Sequence, residues 1–199
     1  VAMWRAAKAN ADLGLPIDCF AVATGPAAVA ATSTLVLTNS AGAAATLPSS
    51  GELMVYIGGR RVAVGVNTAD TQATAAAKLV AAINAVPSLP VTAAVGGATN
   101  EIVLTCRWGG PTGNDVDLRS LYFLDDKLPA GLTLTTPAMS NGAVSPDLTP
   151  LIGAMAGYRA TEIVTPFNDS ANLLVLEAEM AARWAANNMQ DGAVVNAVR

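Results

Sequence analysis

The residue pattern predicts a chain of mixed α+β and α/β class, in which a discontinuous α/β layer is interrupted by an inserted, mostly antiparallel, β-rich domain carrying one helix. Three observations lead there. Both ends read as helix alternating with strand. The middle reads as short strands with a Gly-Gly hairpin signal and a single amphipathic helix. The texture changes at Gly25-Pro26 and again after Gly142, which sets the layer at residues 1–26 with 145–199 and the inserted α+β domain at residues 27–144.

Taken in order, residues 2–13 have helical spacing and stop at Gly14 and Pro16. Pro16 to Val22 reads as a buried strand, and the Ala-Thr-rich stretch from Ala27 to Ser33 reads as a linker. Thr34–Thr38 is the first strand of the insert. Leu53–Ile57, Gly58-Gly59 and Arg61–Val66 read as a hairpin in which Val62, Val64 and Val66 share a face. A helix follows, capped by Asn67 or Thr68 with Asp70 in its first turn. Ala75, Ala76, Leu79, Val80, Ile83 and Val86 gather on one side of it, and Pro87 ends it. Val91–Val95 and Glu101–Trp108 are strands, the second presenting Ile102, Leu104, Cys106 and Trp108 on one face. Gly109 to Asn114 is a turn, after which Val116, Leu118, Leu132 and Leu134 continue the alternation. Beyond Gly142, Thr149 and Pro150 open a helix that Gly157 ends. Glu162–Phe167 is a short buried strand, and Asn168-Asp169-Ser170 caps a helix running to about Trp184.

The bulk numbers bound the function. The chain has 199 residues, 52% of them hydrophobic, 5% aromatic and 13% charged, with a net charge of −4. A real core can be buried, and the Ala- and Val-rich composition suits packed layers better than aromatic-lined ligand pockets. No basic stripe marks a nucleic-acid partner, and no apolar run is long enough to span a bilayer, so neither nucleic acid nor membrane is expected as a partner. Trp4, Arg5, Lys8 and Asp12 lie within the opening helical pattern and argue against a signal peptide. The chain starts at Val1 inside that pattern and ends in the apolar run from Ala193 to Val198, so the expectation is a piece of a longer protein. Cys19 and Cys106 are expected to be buried and reduced, with a disulfide as the alternative.

Histidine is absent, which removes Ser-His-Asp, Cys-His and HExxH constellations. Carboxylate pairs and a lysine base remain to be weighed. Asp115, Asp117, Asp125 and Asp126 could form a carboxylate pair or a divalent-cation site. Alternation favours instead Asp115 and Asp117 on the solvent face of a strand, with Asp125-Asp126 in the next turn. Gly109–Asn114 lacks the Gly-Lys-Ser/Thr ending and the following helix of a phosphate cradle, so it reads as a plain loop. Glu177 falls among Leu173, Met180 and Trp184 on a helical wheel. It either reaches water at the edge of that stripe or forms an ion pair across a packing interface. Glu179 and Arg183 read as a surface i,i+4 pair. Trp4 and Trp184 read as core. No catalytic residue, metal or cofactor is expected.

Two ordered blocks resemble the Mu-like family of contractile phage tail sheath proteins. The first runs from Leu53-Met54-Val55-Tyr56-Ile57-Gly58-Gly59-Arg60-Arg61-Val62 through Ala81–Ala85 and Leu89-Pro90-Val91-Thr92-Ala93 to Gly110–Arg119 and Leu128–Leu132. The second runs from Ile163-Val164-Thr165-Pro166-Phe167-Asn168-Asp169-Ser170 through Leu176–Met180 to Arg183-Trp184. The resemblance covers most of the chain and corresponds to the interior of a longer subunit. It implies a virion structural protein, assembled in the host cytoplasm, that stacks with copies of itself as rings around a tail tube above a baseplate. It further implies contraction that drives genome delivery into the host, and terminal arms that knit neighbours together. Without such arms the piece is expected to be monomeric or weakly associating. Glu177, Arg183, Asp115 and Asp117 are the candidate inter-subunit contacts. Two other readings compete. A degenerate hydrolase would gather Lys and Asp in one cleft. A glycan- or surface-binding insert would expose aromatics, for which Tyr56, Trp108, Tyr122 and Phe123 are the candidates, most of them expected in the core.

Overall fold

The computed structural model describes residues 18–23 and 25–196. The class is α+β. Contacts divide the chain into two compact units, residues 28–144 and residues 1–27 with 145–199.

In the first unit, β1 (Ala30–Asn39), β4 (Val91–Val95), β5 (Glu101–Gly109) and β7 (Leu132–Thr135) form a sheet in the order β4-β5-β1-β7. All of its pairings are antiparallel. A second antiparallel sheet, β3-β2-β6, is built from β2 (Gly51–Ile57), β3 (Arg60–Val66) and the two-residue β6 (Leu118–Arg119). The β2–β3 turn needs two residues with left-handed backbone, and Gly58 (φ 55°) and Gly59 (φ 76°) supply them without a Cβ penalty. Helix α1 (Gln72–Asn84) packs on strands of both sheets. One core results: Leu35 and Leu37 of β1, Leu53, Val55 and Ile57 of β2, Leu79 and Ile83 of α1, and Ile102 and Leu104 of β5 are all fully buried.

Local chemistry explains the boundaries. The α1 N-cap is Thr71, whose side chain accepts from Thr74 N–H while the Thr74 hydroxyl accepts from Thr71 N–H. The expected caps, Asn67 and Thr68, lie in the preceding turn, where the Asn67 N–H donates to Asp70 at 2.9 Å. Asp70 therefore precedes the helix and pairs with Lys78 at 2.6 Å. At the other end Asn84 caps the outer edge of β4. Its amide donates to Ala93 O at 2.8 Å and accepts from Ala93 N–H at 3.0 Å, as a neighbouring strand would. Gln72, buried in the first turn, donates to the Leu37 carbonyl.

Several expectations are corrected here. The stretch read as a linker belongs in its second half to β1, because Ala31 and Ser33 continue the buried face and Thr32 exchanges backbone hydrogen bonds with Ser140. The Gly109–Asn114 turn tightens into a 3-10 helix, Pro111–Asp115, which carries Asp115. Only Leu118–Arg119 of the next segment is strand. Trp108 is 38% exposed at the end of β5, its indole N–H donating to the Thr112 hydroxyl at 3.0 Å.

The second unit contains α2 (Thr149–Ala154), β8 (Glu162–Thr165), α3 (Ser170–Trp184) and β9 (Ala193–Asn196). β8 and β9 pair in parallel, and α3 lies in the crossover that parallel pairing requires. The sequence reading contained no β9. β8 is not the buried strand expected: Thr165 alone of its residues is buried, because the sheet has two strands. α2 is capped at Leu148, not at Thr149, whose N–H instead donates to Asp147. It ends at Ala154, and Gly157 (φ 83°) closes the turn after it. Asp169 caps α3 through Asn172 N–H at 3.1 Å. Trp184, expected in the core, is 69% exposed at the last position of α3. Asn172, Leu176 and Arg183 form the buried stripe instead. Residues 18–23 form no strand and Cys19 is exposed, whereas Cys106 is buried as expected. The opening helix and Trp4 lie outside the described residues.

Candidate functional site

The feature that packing does not account for is the loop after β6. β2 explains its base. Leu53, Val55 and Ile57 face the core, and Met54 and Tyr56, on the opposite face, are buried too. Pairing of Leu118 and Arg119 with Ile57 and Tyr56 brings the following residues over that second face. Tyr56 then packs against Tyr122 and Phe123, with ring centroids 5.6 and 5.8 Å away. Tyr122 and Phe123 meet at 4.9 Å with their rings 80° apart, and the Arg119 guanidinium lies 5.1 Å over the Tyr122 ring.

Asp126 fixes this arrangement. Its carboxylate accepts from Phe123 N–H at 2.8 Å, Tyr122 N–H at 3.0 Å and the Tyr56 hydroxyl at 3.1 Å. The Phe123 N–H above all holds the Asp126 carboxyl below the usual carboxylate range, with Tyr56 and Tyr122 adding to it. Burial, followed by the Asp126 bond, raises the Tyr56 phenol. With both N–H groups turned inward, the side chains turn out. Leu121 is 50% exposed, Tyr122 51%, Phe123 61% and Leu124 fully exposed. Both aromatics were expected in the core. Beside the tip runs a groove of about 460 Å³ between Ser120 and Leu134, lined by Leu121, Leu128, Pro129, Leu132 and Leu134 among others.

The candidate charged contacts are placed as follows. Asp115 and Asp117 are exposed, and Asp117 pairs with Arg119 at 2.9 Å. In the other unit Glu177 is exposed on α3, which matches the water-reaching alternative. Arg183 is not a surface residue. It is 6% exposed, donates to Glu179 at 2.7 Å and to the Tyr158 carbonyl at 3.0 Å, and so ties α3 to the turn after α2. Among the described residues no group of three or more Cys, Asp or Glu side chains is arranged to hold a metal ion. None of their helices is long and apolar enough to cross a membrane.

The sequence carried one unused signal for the loop. Leu121-Tyr122-Phe123-Leu124 is an unbroken apolar run, neither alternating nor helical in period, bounded by Ser120 and by Asp125-Asp126-Lys127. No family model matches the chain. The Mu-like prophage FluMu tail sheath protein of Haemophilus influenzae is 34% identical to it over 193 residues, 96% of this chain. The chain spans 37% of that relative's length.

Proposed function

Nearly all of this chain is sequence of the Mu-like tail sheath family, and from that premise we propose that it serves as part of a contractile sheath subunit which assembles with its own copies around a tail tube. The observation that carries this is the identity along 96% of the chain, since the match spans both units and is not confined to one motif. Contraction then repacks folded units between two arrangements and drives genome delivery, without nucleotide chemistry. The tail tube and baseplate proteins are the further partners, and the virion tail is the place of work.

In this reading residues 1–26 with 145–199 are a discontinuous layer that takes part in the cylinder wall, and residues 27–144 are an insertion carried on it. The parallel β8–α3–β9 unit and the antiparallel insert, each with its own contacts, support that division. Glu177, Asp115 and Asp117 then serve as charged rim contacts between subunits. Arg183 contributes indirectly, by holding the turn at Tyr158.

The hydrolase alternative has one cleft to consider, the groove that includes Asp126 and Lys127. Asp126 is a poor base there, because three donors already stabilise its ionised form. The glycan alternative needs an open ring face. Arg119 covers one face of Tyr122, and Phe123 packs at a steep angle against the same ring.

The test is production of the longer protein that contains this sequence, followed by electron microscopy. Hollow cylinders, extended or contracted, are the expected result. A protein that stays monomeric at high concentration and in the presence of tail tubes would overturn the sheath role.

A further inference from the structure

We propose that the Leu121–Leu124 tip of one copy seats in the Ser120–Leu134 groove of a second copy of this chain. The partner rests on the sheath reading, since an array of identical subunits brings this surface against itself. The contact is argued from the surface alone.

Four consecutive apolar side chains, from half to fully exposed, form a tip that costs solubility unless something covers it. The tip is not a slack loop. Asp126 and the Tyr56 ring hold it in place, so little ordering remains to be done when a partner arrives. Knob and hole lie on one short segment, residues 120–134, and the groove's apolar walls suit Phe123 and Leu124. The chain's own groove does not take its own tip, because Leu124 is fully exposed. Two copies therefore satisfy each other where one cannot satisfy itself.

Charge agrees with a self-partner. Asp117 is already paired with Arg119, and Asp125 and Lys127 flank the tip with opposite signs. The surface thus carries no excess of one sign to repel its copy, and Asp125 can face the second copy's Lys127. An anionic lipid surface fits less well, because Asp117 and Asp125 sit beside the tip.

Sedimentation velocity of the 199-residue chain from about 10 µM to about 1 mM tests this, a range that spans weak contacts. The weight-average sedimentation coefficient is expected to rise with concentration. Leu124→Asp and Phe123→Asp should each weaken association about tenfold or more, with circular dichroism and urea midpoint unchanged. In a Cys19→Ser background, Leu124→Cys mixed with Thr133→Cys should give more intermolecular disulfide than either variant alone. A wild-type chain monomeric throughout, or association untouched by both Asp variants, overturns the contact. So does a monomer that instead cosediments with phosphatidylserine vesicles. Cylinders from the longer protein beside a strictly monomeric 199-residue chain would leave the sheath role standing while removing this contact. Association of this chain without cylinders from the longer protein would do the reverse.

Discussion

The two units hold themselves together by different means. In residues 28–144, side chains from two sheets and α1 converge on one apolar core, and most of the buried hydrophobic residues described are there. In the other unit the buried hydrophobics among the described residues are Leu148, Met155 and Leu176. Polar side chains carry more of the load. Asn172 donates to Pro146 O at 2.8 Å and accepts from Leu148 N–H at 3.1 Å, pinning the approach to α2 against α3. Arg183 does the same for the turn at Tyr158. Hydrophobic burial is non-directional and forgiving in detail, whereas such pins are directional and fail one at a time. The insert should therefore behave as the robust body and the flanking unit as the one whose geometry can be reset.

Substitutions in the two units can break that contrast. Leu104→Ala in β5 removes a fully buried side chain and should cost about 2–5 kcal/mol in urea unfolding. Leu174→Ala on α3, where the side chain is 64% exposed, should stay within about 0.5 kcal/mol. Equal losses would show the contrast to be false. Asn172→Ala sharpens it. It strands the Leu148 N–H and the Pro146 carbonyl, at a cost of about 1–3 kcal/mol. Hydrogen exchange should accelerate at residues 146–148 and in the first turn of α3 and stay unchanged in β1 and β5. Thr71→Ala, which removes the α1 cap, should cost the insert about 1 kcal/mol.

The smallest effect concerns acid. The Lys78 ammonium, then the Asn67 N–H, holds the Asp70 carboxyl below its ordinary range. The folded pKa thus lies under the unfolded value of about 3.9, so the stabilisation is complete above about pH 4 and disappears as pH falls through the folded value. Asp70→Asn should flatten the acid limb of the insert's urea midpoint. An unchanged limb would show that Asp70 carries none of it.

Much of the insert was legible because its signals are local. Gly58-Gly59 demands a tight turn, β5 alternates Ile102, Leu104 and Cys106 inward, and α1 repeats its apolar residues every three or four positions. What stayed hidden depends on distant partners. Tyr122 and Phe123 read as core by composition, and only the Asp126 carboxylate turning their N–H groups inward sends the rings out. Arg183 reads as a surface cation because the Tyr158 carbonyl that receives it is 25 residues away. Trp184 reads as core because a helical wheel does not reveal that its helix packs along Asn172, Leu176 and Arg183. β9 was missed because four residues without a turn signal carry little information until β8 lies alongside.

The Asn84 amide on the outer edge of β4 has a consequence for crowded conditions. A naked strand edge is a template for runaway cross-β aggregation, and the hazard grows when many identical chains are made at once. By occupying the Ala93 N–H and carbonyl from within the chain, one side chain makes that edge unreceptive before any neighbour arrives. Replacing it with leucine would keep the size and remove the guard, so the first symptom should be precipitation during expression, ahead of any measurable loss of folding.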